Sequence, residues 1–331
     1  MRLHVLAGLS CVVLSSATVA WSAPPEARVE RVEWRDAGRD RTLPITIRFP
    51  HAADQPRGPA PVMLVSHGLG GTREAMTYLG ERWAAHGYLV VHLQHPGSDE
   101  SVWRDQPLAQ RVPSMRQAMG DPRNAVDRVR DVSFVLDQLA VGRDDVPFAA
   151  ELKQVADMAR VGIAGHSFGA WTVHAAVGMR MVGGSLRDER IKVGIPLSSP
   201  APNERTRGNA YADITVPMLH ATGSRDTSFI TPDTTPQDRV KPFELSPAGG
   251  KYLLWFHDAD HQVFAGTRKD GAWARQAGRD QALDARIQAI VASSTLVFLD
   301  AHLRGDAAAR AALADGALEA LMGGAGEVRT R

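Results

Sequence analysis

The chain of 331 residues carries 38 Lys and Arg against 37 Asp and Glu, with 44% hydrophobic residues and a single cysteine. This length accommodates one large α/β domain or two ordinary ones, and the near-average composition excludes disordered, collagen-like and coiled-coil chains. A formal net charge of +1 without any Lys/Arg run provides no basic field, so we expect no nucleic-acid partner.

The N-terminus has the pattern of a secretory signal peptide. Arg2 precedes an apolar run at residues 3–20, and small residues follow up to Ala23. His and several Ser and Thr within the run make it a poor transmembrane span. We therefore predict a signal peptide at residues 1–23, a periplasmic or secreted mature chain and no stable membrane insertion after cleavage. Cys11 leaves with this segment, so the mature chain has no thiol nucleophile.

Short apolar segments alternate with amphipathic helices from residue 29 onward. The predicted strands are Val29–Trp34, Leu43–Phe49, Pro61–Ser66, Tyr88–Leu93, Arg160–Ala164, Ile191–Leu197, Val216–Thr222 and Lys251–His257. Predicted helices contain Met76 to Trp83, begin at Asp121-Pro122, and span Gly169–Met181 and Leu283–His302. This alternation predicts an α/β fold with a mostly parallel central sheet and helices on both faces.

No internal repeat or long linker divides the chain, so we predict one domain at residues 24–303. The long connections near 97–120 and 225–250 are expected to be lid-like insertions. An Ala/Gly-rich tail, residues 304–331, follows the domain.

The candidate nucleophile lies between a predicted strand and a predicted helix. Residues 165–169 read Gly-His-Ser-Phe-Gly, which is the G-x-S-x-G pattern. A turn this tight requires small residues at Gly165 and Gly169, and it presents the hydroxyl of Ser167 at the positive end of the following helix. The alternative is a glycine-rich turn with an ordinary serine.

A second glycine-rich turn follows the predicted strand Pro61–Ser66. Residues 66–71 read Ser-His-Gly-Leu-Gly-Gly. An oxyanion hole needs two backbone N–H groups aimed at one point, and we predict those of Leu69 and Phe168. The alternative is a plain turn in which His67 bonds to the main chain. The spacing is not that of a dinucleotide-binding G-x-G-x-x-G motif.

The base and the acid are expected downstream of the serine, in the order acid and then histidine. His261 lies in a loop after a predicted strand, whereas its rival His257 belongs to the strand. Asp226 ends another strand and turn, which makes it the predicted acid; Asp258 and Asp260 remain alternatives.

A metal site at residues 257–261 has too few ligands without a second cluster, so no metal or cofactor is predicted. Trp103, Met115, Met119 and Trp273 are candidates for an apolar acyl pocket, or else they cover the core.

Taken together, these motifs resemble the platelet-activating-factor acetylhydrolase-like branch of the α/β-hydrolases, with its bacterial dienelactone-hydrolase-type members. The likeness spans residues 40–300 and rests on four segments: Val65–Gly71, Ala85–His95, Gly165–Ala170 and His261–Phe264. It implies the α/β-hydrolase fold and cofactor-free hydrolysis of short acyl esters, with Leu69 and Phe168 as oxyanion donors. The animal enzymes carry their acid where this chain reads Ile195–Ser199 without a carboxylate, so the acid is expected one strand later, at Asp226.

The sequence thus predicts a secreted serine hydrolase that acts on a small-molecule ester through Ser167, His261 and Asp226. An amidase or peptidase with the same triad is the second hypothesis. A non-catalytic binding protein on the same scaffold is the third.

Overall fold

The computed structural model describes residues 28–51, 58–200, 208–266 and 280–331. The predicted signal peptide and Trp273 lie outside these residues.

A nine-stranded sheet forms the centre of the molecule, in the order β1-β2-β4-β3-β5-β8-β9-β10-β11. Its strands are β1 (Val29–Asp36), β2 (Arg41–Arg48), β3 (Ala60–Ser66), β4 (Leu89–Leu93), β5 (Ala156–His166), β8 (Ile191–Leu197), β9 (Met218–Arg225), β10 (Lys251–Asp260) and β11 (Gly326–Thr330). A separate hairpin contains β6 (Arg180–Met181) and β7 (Gly184–Ser185).

The described helices are α1 (Thr77–Ala85), α2 (Leu108–Gly120), α3 (Pro122–Val141), α4 (Ala149–Val155), α5 (Phe168–Ala176), α6 (Lys241–Leu245), α7 (Gln281–Leu299), α8 (Ala307–Ala314) and α9 (Ala317–Met322). Short 3₁₀ turns occur at Glu100–Val102, Asp238–Val240 and Val263–Ala265, and a π-helical turn at Asp300–Arg304 extends α7.

Six strands of the sheet run parallel, from β4 to β10, while β1, β2 and β11 pair antiparallel with their neighbours. Strand β3 shows why the parallel strands are continuously apolar. Val62 and Leu64 face the core under α3, α4 and α5, whereas Met63 and Val65 face the core under α1 and α7. Both faces of the sheet are therefore buried, as the alternation of elements predicted.

Two helix boundaries illustrate how local chemistry sets the elements. Asp121 caps α3 by accepting a hydrogen bond from the N–H of Arg123, and Pro122 occupies the first helical position. The predicted helix Gly169–Met181 ends earlier, at Ala176. Gly178 has a φ of 124°, which an α-helix cannot contain, and the chain then enters the β6–β7 hairpin.

The two insertions contain helices that the sequence patterns did not predict, and the tail contains a strand as well as the helix that its Ala-rich composition suggested. Helix α2 lies in the connection 97–120, and α6 lies in the connection 225–250. Residues 304–331, described from composition as an Ala/Gly-rich tail, form α8, α9 and the edge strand β11, which pairs with β10. Alanine favours helices, and the buried Leu318 and Met322 join the core beside α7.

Within the described residues one helical stretch, Gln281–Arg304, has the length and hydropathy of a membrane span. Half of it is buried inside the molecule, where Ile287, Val291 and Phe298 pack under the sheet. This stretch therefore fits the core helix of the fold.

Candidate active site

Ser167 lies on a strained turn between β5 and α5. Its φ of 54° and ψ of −114° lie outside the regions that L-residues ordinarily adopt. A Cβ on Gly165 would come within 2.3 Å of the carbonyl oxygen of Gly169, and a Cβ on Gly169 within 1.9 Å of that of Ser66. Both glycines are therefore sterically required, and the turn presents the half-buried serine at the N-terminus of α5.

The structure brings Ser167, His261 and Asp226 together across 94 and 35 residues of sequence. The Oγ of Ser167 lies 3.0 Å from Nε2 of His261, and Nδ1 of His261 lies 2.8 Å from Oδ1 of Asp226. Because Asp226 is a carboxylate, Nδ1 carries the proton and Nε2 presents its lone pair to the serine. This is the geometry of a nucleophile, a general base and an orienting acid.

Asp226 is fully buried but well supplied with hydrogen-bond donors. Ser198 Oγ donates to its Oδ1 at 2.8 Å, and Thr222 Oγ1 donates to its Oδ2 at 2.7 Å. Nε of the buried Arg239 forms an ion pair with the carboxylate, 2.8 Å from Oδ1, and donates to the backbone carbonyl oxygen of Asp226. Burial alone raises the pKa of this carboxyl, but the charges and hydrogen bonds of His261, Arg239 and Ser198 outweigh it and lower the pKa to about 2. Asp226 is therefore ionised at neutral pH.

The loop that carries His261 is fixed from two sides. Oδ1 of Asp260 accepts the backbone N–H groups of Gln262 and Val263, at 2.8 and 2.9 Å, so this carboxylate holds the turn. Nε2 of His166, beside the nucleophile, lies 2.8 Å from the carbonyl oxygen of His261, to which it donates. The backbone of the base is thus tied directly to the turn that carries Ser167.

The alternatives raised by the sequence lie elsewhere. The side chain of Asp258 is 64% exposed and lies 3.8 Å from that of Arg225, itself 69% exposed. His257 is exposed on β10. Between residues 28 and 331, leaving out the undescribed gaps, no group of three or more His, Cys, Asp and Glu side chains is placed to hold a metal ion.

The predicted oxyanion donors flank the nucleophile. A Cβ on Gly68 would lie 3.5 Å from Cβ of Ser167, so the β3 turn that contains Leu69 packs directly against the serine. Phe168 is the first residue of α5, where a backbone N–H has no partner within the helix. Neither the Leu69 nor the Phe168 amide donates to another described group of the chain. Both amides are therefore available to a substrate oxygen.

His67 bonds to the main chain, which was the structural alternative for this residue. Its Nε2 accepts the backbone N–H of His95 at 3.0 Å, and its Nδ1 donates to the carbonyl oxygen of Gly68 at 2.6 Å. The ring therefore shapes the turn before Leu69. Gly70, with a φ of 70°, completes the turn by donating its N–H to the carbonyl oxygen of Ser98.

A cleft of about 1430 Å³ opens over Ser167, His261 and the β3 turn. Its lining includes the apolar side chains of Met115, Met119, Phe168, Trp171 and Phe229. Trp103 instead packs against Gly70 of the β3 turn, where its Nε1 donates to the carbonyl oxygen of Gly70 at 2.8 Å. Two of the pocket candidates predicted from the sequence, Met115 and Met119, therefore line this cleft.

Comparison with known proteins agrees with this architecture. A family model described as "Serine hydrolase (FSH1)" matches residues 147–263, a range that contains all three triad candidates. A solved structure of a ferulic acid esterase from Streptomyces cinnamoneus superposes over 88% of this chain and 93% of its own, with a TM-score of 0.58 and 20% sequence identity. The chain has the α/β-hydrolase fold. The predicted fold class and the predicted resemblance to the α/β-hydrolases are both confirmed.

The chain is also similar to a curated relative, the platelet-activating factor acetylhydrolase of Canis lupus familiaris. The two are 23% identical over 175 residues, which is 42% of this chain. The match spans only about a third, 35%, of the relative's length.

Sequence reasoning missed three side chains that contact the candidate site: Ser198, Arg239 and Arg128. Ser198 forms hydrogen bonds with both Asp226 and His261, and Arg239 forms an ion pair with Asp226. Arg239 lies in the insertion at 225–250 and Arg128 in helix α3, neither of which carries a motif. Only the missing carboxylate at Ile195–Ser199 drew attention to the position of Ser198.

Proposed function

We propose that the protein is an exported serine hydrolase that cleaves carboxylic esters with small acyl groups through an acyl-enzyme on Ser167. The observation that carries the proposal is the continuous hydrogen-bonded series from Ser167 Oγ through the His261 ring to Asp226. The match of residues 147–263 to a serine hydrolase family model supports the hydrolase class. The names of the two similar proteins, an acetylhydrolase and an esterase, support an ester substrate.

In the acylation step Ser167 Oγ attacks the ester carbonyl carbon while His261 Nε2 accepts its proton over 3.0 Å. The carbonyl oxygen becomes an oxyanion, and the N–H groups of Leu69 and Phe168 donate hydrogen bonds to it. Asp226, ionised and 2.8 Å from Nδ1, stabilises the imidazolium. The tetrahedral intermediate then collapses, the C–O bond to the alcohol breaks, and His261 gives its proton to the leaving oxygen.

Deacylation repeats these chemical steps with water in place of the serine hydroxyl. His261 accepts a proton from water, the hydroxide attacks the acyl carbon, and Ser167 leaves with the proton returned by the imidazolium. The product is the carboxylic acid. All proton transfers in both steps pass through this one imidazole.

The apolar lining of the cleft bears on the substrate class. Met115, Met119 and Phe229 provide unbranched or aromatic surface for an acyl group, and none of them carries a charge. The lining also contains charged residues on β1 and after the β3 turn, namely Arg31, Glu33, Arg73 and Glu74, a surface suited to a polar alcohol portion. We therefore propose that the acyl group lies toward α2 and the leaving group toward β1.

Export is proposed from residues 1–23, which lie outside the described residues. The apolar run and the small residues at its end support a cleaved signal peptide, and hence a periplasmic or secreted enzyme. Cell fractionation of the full chain and of a chain beginning at Pro24 tests this directly. Retention of the full chain in the cytoplasm at its full mass would contradict export without bearing on the chemistry.

Activity is tested by p-nitrophenyl esters of increasing acyl length, with a matched anilide, and by labelling with a fluorophosphonate. We expect hydrolysis of the acetate, labelling at Ser167, and loss of both in Ser167→Ala. Ser185→Ala, in the exposed β6–β7 hairpin, is the matched control and should behave as wild type. Cleavage of the anilide in preference to the esters would favour an amidase, and a folded protein that neither hydrolyses nor becomes labelled would favour a binding protein.

A further inference from the structure

Arg128 is a fully buried arginine of helix α3 that lies behind the candidate oxyanion hole. Its Nη2 donates to the carbonyl oxygen of His67 and, at 3.1 Å, to Ser66 Oγ. Its Nη1 donates to Ser98 Oγ at 2.8 Å, and its Nε donates to Thr172 Oγ1 at 2.9 Å. Each of these four acceptors is a neutral oxygen. Burying a guanidinium costs free energy, so its position calls for a specific use.

Three of the four contacts lie on the two segments that supply the oxyanion donors, with Ser66 and His67 at the end of β3 and Thr172 in α5, while Ser98 belongs to the loop after β4. The carbonyl of His67 belongs to the β3 turn and immediately precedes Gly68 and Leu69. On the other side, Thr172 Oγ1 donates to the carbonyl oxygen of Phe168 at 3.1 Å, while the guanidinium carbon lies 4.6 Å from the centre of the Phe168 ring. One side chain thus reaches both the segment of Leu69 and the first turn of α5.

A buried series of hydrogen bonds fixes the arginine's partners in turn. Because Ser66 Oγ accepts from Arg128, its own proton is directed to Nε2 of His95, 3.0 Å away. Nδ1 of His95 then donates to Asp131 at 3.0 Å, and Arg41 binds the same carboxylate from the surface side. Burial lowers the pKa of His95 to about 4, so the ring is neutral and keeps this tautomer at neutral pH.

We propose that Arg128 is a positioning residue for the oxyanion hole: its guanidinium sets the separation and direction of the Leu69 and Phe168 amides and places a buried positive charge behind them. Lysine cannot replace it, because an ammonium group has three donors at one point, whereas the guanidinium fork reaches four acceptors on three segments. The inference rests on the proposed hydrolase function. It predicts an effect on the transition state, in which the oxyanion forms, and little effect on substrate binding.

The test compares wild type with Arg128→Lys and Arg128→Met on p-nitrophenyl acetate. We expect kcat to fall by about 10- to 100-fold in both variants, with KM changed by less than about threefold. A trifluoromethyl ketone, whose serine adduct carries an oxyanion, should bind more weakly by a factor close to the loss of kcat/KM. Thr172→Val removes the Nε acceptor together with the hydroxyl's own bond to the carbonyl oxygen of Phe168, and it should lower kcat by a smaller factor in the same direction.

Arg190→Lys is the matched control. Arg190 also fastens α3, through the carbonyl oxygen of Ser133 and the carboxylate of Asp137, but it touches neither oxyanion segment. Its replacement should leave kcat unchanged.

Folded Arg128 variants that retain wild-type kcat and ketone affinity would overturn the inference while leaving the hydrolase function intact. The inference would also be overturned if kcat in the Arg128 and Arg190 variants fell only in proportion to the fall in melting temperature. If neither Arg128 variant folds, Thr172→Val decides, and wild-type kcat in that variant overturns the inference. A wild-type protein without esterase activity would remove the hydrolase function itself, and the role of Arg128 with it.

Discussion

The hydroxyl oxygen of Ser198 lies 2.6 Å from Nδ1 of His261. The same hydroxyl donates to Oδ1 of Asp226 at 2.8 Å, so the imidazole N–H faces a carboxylate and a hydroxyl together. Ser198 immediately follows β8 and has a φ of 53°, and its hydroxyl reaches the end of the adjacent strand β9. The position after β8 thus holds a hydroxyl, and the carboxylate comes from the end of β9.

Asp226→Asn is expected to lower kcat by about 10³- to 10⁴-fold, because an amide in place of the carboxylate neither stabilises the imidazolium nor enforces the Nδ1–H tautomer. The measurement is kcat for p-nitrophenyl acetate at neutral pH. Asp258→Asn changes an exposed carboxylate of the same region and should leave kcat unaltered. A small effect of Asp226→Asn with a large effect of Asp258→Asn would reverse the assignment.

Ser198→Ala is expected to lower kcat by about tenfold, the size of one hydrogen bond to a charged group. The loss should largely disappear in an Asp226→Asn background, since the two side chains act on the same ring nitrogen. Ser199→Ala is the neighbouring control, because its Oγ bonds to His174 and does not reach the triad. Equal effects at the two serines would show that the contact with His261 has no special importance.

Gly169→Ala should destabilise the fold by at least about 3 kcal/mol, because its Cβ would lie 1.9 Å from a backbone oxygen of β3 that has no room to move. Urea denaturation followed by circular dichroism measures the loss. Gly120→Ala, at the end of α2 with open space around it, should be neutral or stabilise by up to about 1 kcal/mol. Similar stabilities for the two variants would refute the steric requirement at Gly169.

The free energy of unfolding should decrease as the pH falls below about 6.5. Burial lowers the pKa of His92 to about 3, so between these values the unfolded chain binds a proton that the folded chain rejects. The full contribution to stability is therefore present above pH 6.5 and is lost as the pH falls toward 3. For one such residue the change from pH 7 to pH 5 is on the order of 2 kcal/mol.

Denaturation at pH 7 and pH 5 tests this point. His92→Gln should reduce the pH dependence, whatever its effect on stability at pH 7. His257→Gln, at an exposed position of β10, is the control for replacing a histidine by glutamine. An unchanged pH dependence in His92→Gln would contradict the expected titration.

The short-range features of this protein follow from its sequence. Continuous apolar runs predict buried strands because both faces of a parallel sheet are covered, and the order of strands and helices then indicates the α/β fold. The glycines around Ser167 and Leu69 are visible as motifs because steric conflicts in a tight turn involve near neighbours. His261 and Asp226 were identified by their places at strand ends, although Asp226 could not be separated from Asp258 or Asp260 without knowing which carboxylate faces the ring.

Only the tertiary structure decides the roles of Ser198, Arg239 and Arg128, and the pairing of β11 with β10. In the sequence Arg128 is indistinguishable from arginines on the surface, since burial and acceptor geometry arise only when α3, the β3 turn and α5 pack together. Arg239 reaches carbonyl oxygens about 40 residues away in the chain. Such contacts depend on which distant segments become neighbours, which neither periodicity nor local motifs encode.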